Sequence, residues 1–369
     1  MKRLLQSESI AIGLAMFSMF FGAGNIIFPL AVGQYAGDKN LFAILGLLLT
    51  AVAMPITGLI AMLLYEGDYH QFFGRLGKVP GFLIALMIIS LLGPLGSTPR
   101  CIALAYTTLK STFPQLSQIF FSACSCFLIF LFTIRRSNLL KLLGWVLTPF
   151  LLVSLATIIV MGLFTPPTSL QLVNESSKKL FWHGLKEGYN TMDLLAAFFF
   201  SSTILSTLRL RVIEQGCFNA SPIKIALSAS IVGAALLAAV YLGFSYLAAF
   251  HGADLHLTAK DEILAAITFK IAGPHAGILV CLTIALACLT TAIALISAFT
   301  DFIHKEVLST KISYQSTLIA SLLITFFIST FEFSGISAFL SPILQTCYPG
   351  LIVLTFLNIA FRLKKVQPI

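Results

Sequence analysis

Apolar positions in this chain are gathered into long runs separated by short polar stretches. The first run, Ile10 to Val32, is long enough to cross a bilayer, since a spanning helix needs about 20 apolar residues. It is interrupted midway by Gly22-Ala23-Gly24-Asn25 and closed by Phe28-Pro29. Backbone groups in hydrocarbon must be satisfied internally, so helix-weakening residues are tolerated there only where the chain is buried in protein or lines a wet cavity. A break at this point can hold an ion or a substrate through freed main-chain groups; close helix packing through small residues is the alternative. Further runs lie at Leu41 to Leu64, Pro80 to Leu109, Ile119 to Ile134 and Leu139 to Phe164. Five more follow, at Met192 to Leu208, Ile225 to Phe250, Ile278 to Phe299, Thr317 to Phe331 and Ile336 to Phe361. The pattern predicts an all-α polytopic membrane protein with ten transmembrane helices.

The longest polar stretch, Thr165 to Gly188, separates five spans from five. An odd number per half forces the halves into opposite orientations, the inverted-repeat plan of many transporters. The expected division is residues 1–165 and 166–369, within one integral membrane unit. On this plan the sixth span is the counterpart of the first and is broken as well. Its Gly188-Tyr189-Asn190-Thr191-Met192-Asp193 and the mid-span hydroxyls Ser201, Ser202 and Thr203 fit that expectation, unless the hydroxyls only bond back to their own helix. In the stretch Leu242 to Gly273, external in this topology, the pieces Leu255 to Leu257 and Ile263 to Ile267 read as a short amphipathic helix, either a lid over an outer vestibule or a simple surface loop.

Composition sharpens this picture. Of 369 residues, 58% are hydrophobic and 10% charged, which excludes a soluble globular protein. With both termini on the cytoplasmic side of the inner membrane, fifteen of the 23 Lys and Arg residues fall inside, seven outside, and Arg100 lies within a span. That is the positive-inside bias, and it assigns the net charge of +9 to topology and anionic lipid headgroups rather than to nucleic acid. Met1-Lys2-Arg3 before an apolar run resembles a signal peptide, but Phe21 stands where cleavage wants a small residue and the run continues to Val32, so the first span is expected to be retained. The seven cysteines lack metal or redox spacing, and the histidines sit in loops or at span ends. His251, Asp254 and His256 offer the only metal-like spacing, against a solvated loop face.

Three groups carry candidate chemistry. Arg100 follows the helix-weakening Gly93-Pro94-Leu95-Gly96-Ser97-Thr98-Pro99. A charge at helix centre costs about 2.5 to 3.5 kcal/mol on insertion scales, so Arg100 either meets Asp193, a substrate carboxylate or backbone carbonyls near a cavity, or snorkels to the outer interface. Asp193 opens the sixth span as a functional carboxylate or as a dipole-favoured helix start. Thr290 and Thr291, with freed carbonyls of the first span, supply the hard oxygens an alkali cation prefers; interhelical hydrogen bonding is the other reading.

Phe20-Phe21-Gly22-Ala23-Gly24-Asn25-Ile26-Ile27-Phe28-Pro29, Gly93-Pro94 with Pro99-Arg100, Gly188 to Asp193, and Leu289-Thr290-Thr291-Ala292-Ile293 together resemble, in order and spacing, the motifs of the branched-chain amino acid transport system II carrier family. These are bacterial cation symporters for leucine, isoleucine and valine within the amino acid, polyamine and organocation transporters. The resemblance implies a leucine-transporter-like core of two inverted five-helix repeats with helices 1 and 6 broken. It implies that Gly22, Ala23, Gly24 and Asn25 meet the amino acid, with Arg100, Asp193, Ser201 and Ser202 as further substrate-site candidates. A sodium position would be formed by Ser18, Phe21, Ala287, Thr290 and Thr291. Two departures stand out: the family usually has twelve spans where this chain shows ten, and Phe200 replaces a small residue expected after the sixth-helix motif.

The expectation is therefore a secondary active symporter, not an enzyme. It would import branched-chain amino acids with Na+ or H+ as coupling ion, by alternating access, without a cofactor or an obligate protein partner. Another neutral amino acid is the alternative substrate. A channel or an intramembrane enzyme is the more distant reading; the enzyme would need a nucleophile with a base, or a metal cluster, at membrane depth, where no histidine lies.

Overall fold

The computed structural model describes residues 2–134, 148–166, 171–214, 222–252, 255, 259–308 and 310–366. Arg135, Arg136 and Lys141 of the charge count, Asp254 and His256 of the candidate metal spacing, and Leu257 of the amphipathic stretch lie outside these residues. Among the described residues all regular structure is helical. The first span is α1 (Lys2–Phe20) and α2 (Ala23–Ala36); the second is α3 (Asn40–Leu48), a π-helical turn (Leu49–Ala53) and α4 (Met54–Leu64). A short helix, α5 (Tyr69–Phe73), leads to the third span, α6 (Lys78–Leu92) and α7 (Ser97–Lys110). The fourth and fifth are α8 (Gln118–Ile134) and α9 (Thr148–Phe164), and the sixth is α10 (Ser177–Tyr189) and α11 (Asp193–Glu214). Then come α12 (Pro222–His251), α13 (Ile263–Phe302), α14 (Tyr314–Ser329) and α15 (Phe333–Val366). Five continuous segments, Ala23–Leu64, Lys78–Lys110, Ile223–His251, Gly277–Val307 and Phe333–Lys364, are long and apolar enough to cross a membrane, and shorter apolar helices join them.

The spans break where the sequence weakens them. Gly22 is extended (φ −118°, ψ −164°). Asn25 caps the restart, its Oδ1 accepting the Gly22 N–H at 3.0 Å while its own N–H donates to the Gly22 carbonyl at 3.2 Å, the local side-chain capping that competes with helix continuation. The sixth span breaks over residues 190–192, with Met192 in the left-handed region (φ 65°), a conformation that costs an L-residue roughly 1–2 kcal/mol. The third breaks at Gly93–Gly96. A Cβ on Gly93 would press on the Phe299 side chain at 2.8 Å, and one on Gly96 would collide with the Leu91 carbonyl.

The sixth span begins earlier than its hydrophobicity indicates, inside the stretch taken as the polar linker between the halves. In α10 only Leu180, Gly184, Leu185, Gly188 and Tyr189 are buried, a single stripe at helical spacing. Lys178, Lys179 and Lys186 share the same helix, so no continuous apolar run signals it. Gly184-x-x-x-Gly188 lets α10 press onto the second span: a Cβ at Gly184 would overlap the Ala43 carbonyl, and one at Gly188 would overlap the Thr50 hydroxyl. Thr50 in turn donates to the Leu185 carbonyl at 2.9 Å. Such close backbone approach replaces the missing hydrophobic drive between helices in lipid. The eighth span also differs from its run. α13 carries a separate leading segment that turns at Gly273 (φ 73°), so the amphipathic Ile263 to Ile267 piece is a helical arm packed on the bundle, with Ile263, Leu264 and Ile267 buried.

The packing obeys a five-span exchange. The first span lies on the seventh and the sixth on the second; the third pairs with the eighth and the fourth with the ninth. The fifth contacts the seventh and eighth, as the tenth contacts the second and third. Each pair maps onto another, or onto itself, when every span is replaced by the one five positions away, which is the contact pattern of two inverted repeats.

Gly184→Ala should lower the melting temperature of the detergent-solubilised protein by several degrees, since overpacking a tight contact costs about 1–3 kcal/mol. Gly350→Ala, in a helix where a Cβ meets nothing within 4 Å, should leave it unchanged or raise it. Equal melting of the two variants would place α10 away from the second span.

Candidate functional site

The two main breaks face each other across the bundle, and the residues that pin them are the buried polar ones. Asn25 and Asp193 are each 2% exposed. The Asn25 amide nitrogen donates to both Asp193 carboxylate oxygens, at 2.9 and 2.7 Å, and contacts the Tyr241 hydroxyl of the seventh span. Tyr241 donates to the same carboxylate at 3.0 Å. Asp193 thus sits at the first turn of α11, where the helix dipole favours a negative group, and its oxygens are satisfied by donors from two other spans, as a buried carboxylate requires. The breaks approach closely because Gly24 lacks a side chain; a Cβ there would meet Thr191 Cα at 3.0 Å and the Asn190 carbonyl at 3.3 Å.

Arg100 is 1% exposed, so it does not snorkel. Its guanidinium donates to the Asn190 carbonyl at 2.9 Å and contacts the Met192 sulfur, and it lies 5.8 Å and 5.9 Å from the Phe28 and Phe333 ring centres. Of the partners foreseen for it, the backbone carbonyl is the one found; the Asp193 carboxylate is taken by Asn25 and Tyr241. Arg100 Nε and the Tyr348 hydroxyl, both buried, have no acceptor among the described residues. Tyr348 comes from the tenth span and stacks near Tyr189, centroids 4.8 Å apart. An unpaired buried donor costs about 1–3 kcal/mol, so two donors at this corner stand without the compensation that buried polar groups ordinarily have.

A second cluster forms at the C-terminal end of α1. Thr291 donates to the Phe21 carbonyl at 3.0 Å, and Thr290 to the Ala287 carbonyl at 2.8 Å. Ser18, Ala287 and Thr290 line one small cavity with Thr283, Leu286 and Phe150 and Leu151 of the fifth span. The five residues drawn from separate motifs for a cation position are therefore gathered between the first and eighth spans, with hydroxyl and carbonyl oxygens and no carboxylate. Gly22 is held against the same wall, its Cβ position 3.0 Å from Thr291 Cγ2.

Ser201 and Ser202 are not brought to the breaks. They lie eight and nine residues beyond Asp193 along α11, about 12–14 Å at 1.5 Å per residue. Ser201 is fully buried and bonds back to the Phe198 carbonyl at 3.0 Å, and Ser202 Cα lies 2.9 Å from a Cβ position on Gly67, in the turn before α5. Phe200 is buried edge-on to Phe20, centroids 5.6 Å apart, and so closes space beside the first break. Tyr241, Tyr348 and Asn190 were not foreseen. The two tyrosines carried a signal, as polar-tipped aromatics inside apolar runs, where a hydroxyl needs a partner.

The arm before the eighth span closes over one end of this region. Asp261 accepts from Thr107 of α7 at 2.7 Å, and Lys260 pairs with Glu187 of α10 at 2.9 Å. Glu187 also accepts from the Asn190 side chain at 3.1 Å, and Asn190 accepts from Ser341 of the tenth span at 2.9 Å.

This fold, among the described residues ten helical spans with facing breaks in the first and sixth, is that of the leucine-transporter-like proteins. Among solved structures it is similar to MhsT in complex with L-phenylalanine, with a TM-score of 0.60 at 16% identity over 87% of this chain and 78% of that one. A Na+-coupled sialic acid symporter gives a TM-score of 0.57 at 14% identity, covering 95% of this chain and 78% of that one. The family model described as branched-chain amino acid transport protein matches residues 5–368, and the chain belongs to that family. It is 30% identical over 374 residues to the branched-chain amino acid permease BrnQ of Bacillus subtilis, covering 98% of this chain and 83% of that relative. The permease BraB of the same organism is 30% identical over 366 residues, covering 96% and 81%. The chain is thus an integral membrane transport protein and not an enzyme.

Asn25→Ala removes two of the hydrogen bonds to the buried carboxylate and should cost more stability than Tyr241→Phe, which removes one. Because the two share a partner, their double variant should be non-additive by about 0.5–3 kcal/mol, read as melting shifts in detergent. Strict additivity would show that the two side chains do not meet at Asp193.

Proposed function

We propose that this protein is a Na+-coupled importer of branched-chain amino acids. The observation that carries the reading is the facing pair of broken helices, pinned by Asn25 and Asp193 and flanked by buried donors without protein acceptors. A zwitterionic amino acid needs a partner for each charged end. The carboxylate is met by Arg100 Nε, the Tyr348 hydroxyl and the main-chain N–H groups of residues 23 and 24 at the start of α2, where the dipole favours an anion. The ammonium is met by the carbonyls at the end of α10, where the dipole favours a cation, with the Asp193 carboxylate adding its charge from behind its Asn25 and Tyr241 donors. The aliphatic side chain packs among the apolar residues between the breaks, bounded by Phe20 and Phe200. The family description and the names of the relatives supply the branched-chain class.

Sodium is favoured over the proton by the second cluster. A coupling proton would have to use the Asp193 carboxylate, which already accepts from Asn25 and Tyr241, whereas Ser18, Phe21, Ala287, Thr290 and Thr291 offer neutral oxygens, the hard donors suited to an alkali cation. The C-terminal end of α1 adds its negative dipole to the same place. Since the cluster joins the first span to the eighth, a bound ion would tie the broken helix to the scaffold and bias the alternation between access states. The division into residues 1–165 and 166–369 follows the exchange symmetry of the packing, and the charge distribution favours both termini in the cytoplasm. No cofactor and no obligate protein partner enter this scheme. Ser201 and Ser202 serve helix packing in it rather than substrate contact.

Purified protein in proteoliposomes should accumulate labelled leucine under an inward sodium gradient at equal pH, and lose accumulation when the gradient is collapsed. Isoleucine and valine should compete within several-fold. Alanine should be weaker by more than tenfold, because each buried methylene contributes about 0.8 kcal/mol. Absence of leucine counterflow under every gradient overturns the substrate reading, and uptake driven by a pH gradient alone overturns the sodium reading.

Thr291→Val keeps the shape and removes the hydroxyl. It should raise the sodium concentration for half-maximal uptake at least tenfold, a loss of about 1.4 kcal/mol; an unchanged sodium dependence would reduce this cluster to interhelical bonding.

A further inference from the structure

At the end of the bundle that holds α5, remote from the breaks, lies a cleft of about 730 Å³ bounded by α5, the start of α6 and the end of α15. Its lining includes Arg75, Lys78 and Arg362, with His70 at the edge, and contains no aspartate or glutamate. The two arginines are fixed in place from one side. Arg75 donates to the Leu357 carbonyl at 2.9 Å and to Asn358 Oδ1 at 3.2 Å, and its guanidinium lies 4.1 Å from the centre of the Phe361 ring. Arg362 donates from Nε to the Leu64 carbonyl at 3.1 Å and lies 4.9 Å from the centre of the Tyr65 ring. Lys78 makes no hydrogen bond among the described residues. Two carboxylates of this end are already committed: Glu306 accepts from Tyr69 at 2.8 Å and pairs with His70 at 3.0 Å, and Asp68 caps α5 through the His70 and Gln71 N–H groups.

Three permanent cations therefore converge on one open cleft whose lining holds no carboxylate, an arrangement that repels itself until an anion enters. Guanidinium groups held by their own bonds and by aromatic faces are suited to the oxygens of a phosphate. The walls are not those of a site for a free ion. Val79 and Leu83 of α6 are 68% and 55% exposed and Leu363 of α15 is 54% exposed, so an apolar surface runs from the cleft along two membrane-spanning helices. Tyr65 and Phe361 add the aromatic character found at membrane–water interfaces. Basic pockets between spans with such flanks take anionic headgroups.

We infer that the cleft lined by Arg75, Lys78 and Arg362 binds the phosphodiester headgroup of an anionic phospholipid, with an acyl chain lying along α6 and α15. This rests on the membrane placement of the chain and not on its transported substrate, and it is read without any uptake measurement.

Delipidated full-length protein in detergent, titrated with phosphatidylglycerol or phosphatidylcholine and followed by native mass spectrometry, should retain phosphatidylglycerol at least fivefold more. Millimolar glycerol phosphate should not compete. Gly74 lines the same cleft in ordinary helical geometry (φ −59°), and a Cβ there meets nothing within 4 Å, so Gly74→Glu introduces a carboxylate without displacing its surroundings. It should abolish the lipid preference while melting like the parent in lipid-free detergent. Lys78→Gln should reduce the preference in part. Lys311→Gln, which removes one exposed positive charge outside the cleft, should not change it. Equal retention of the two lipids, or equal effects of Gly74→Glu and Lys311→Gln, overturns the site; competition by glycerol phosphate at the affinity of the lipid overturns its assignment to lipid.

Discussion

A carboxylate buried inside a membrane bundle must find donors or become too costly to keep, and the way Asp193 finds them organises this molecule. Asn25 supplies its amide to Asp193 while its carbonyl oxygen caps the Gly22 N–H. One side chain thereby closes the break in the first span and ties it to the break in the sixth. Tyr241 brings in the seventh span at the same point, so three helices from both halves meet at one carboxylate. The main-chain groups released by the breaks stay concentrated between these anchors, in a place where water is scarce and their dipoles count for most.

The rest of the bundle holds those anchors at short range by removing side chains. Gly24 lets the breaks approach, Gly22 lets the first span reach Thr291, and Gly184 and Gly188 seat α10 on the second span. The same exchange of spans that pairs the first with the seventh pairs the sixth with the second, so the close contacts of one half have counterparts in the other. Polar links then connect the centre to both ends. Asn190 receives Arg100 on its carbonyl and Ser341 on its side-chain oxygen and donates its amide to Glu187, and Glu187 holds Lys260 of the arm. At the opposite end Tyr69 and His70 share Glu306. Burial, reinforced by the neighbouring Glu306, pushes the Tyr69 phenol well above its usual range, so Tyr69 remains a hydrogen-bond donor across the accessible pH range and this link does not titrate through the tyrosine.

Much of this was legible because lipid imposes a simple rule: a helix crossing it is apolar, and a departure marks a break or a site. Gly22 to Asn25, Gly93 to Pro99 and Asn190 to Asp193 were each visible as departures, and each is a real interruption. The hydroxyls Thr290 and Thr291 stood out in their apolar run, but their neighbours Ser18 and Phe21 are far away in the chain and came in only through the family resemblance. What escaped has a common cause. The first half of the sixth span is amphipathic, with lysines outside and glycines inside, so a search for continuous apolar residues passes over it. Ser201 and Ser202 looked like site residues because hydroxyls are rare in such runs, yet a serine can bond to its own helix, and Ser201 does.

By itself the sequence determined the class of the molecule and where three of its spans fail, because those follow from hydropathy and from the weakness of glycine, proline and asparagine in helices. Only the tertiary structure decided which partner each buried group takes. Arg100 had several partners open to it and settled on the Asn190 carbonyl, since Asn25 and Tyr241 satisfy Asp193 first. Such choices depend on distances between helices remote in the chain, and those distances are set by side chains that are absent, at Gly24, Gly184 and Gly188, as much as by those that are present.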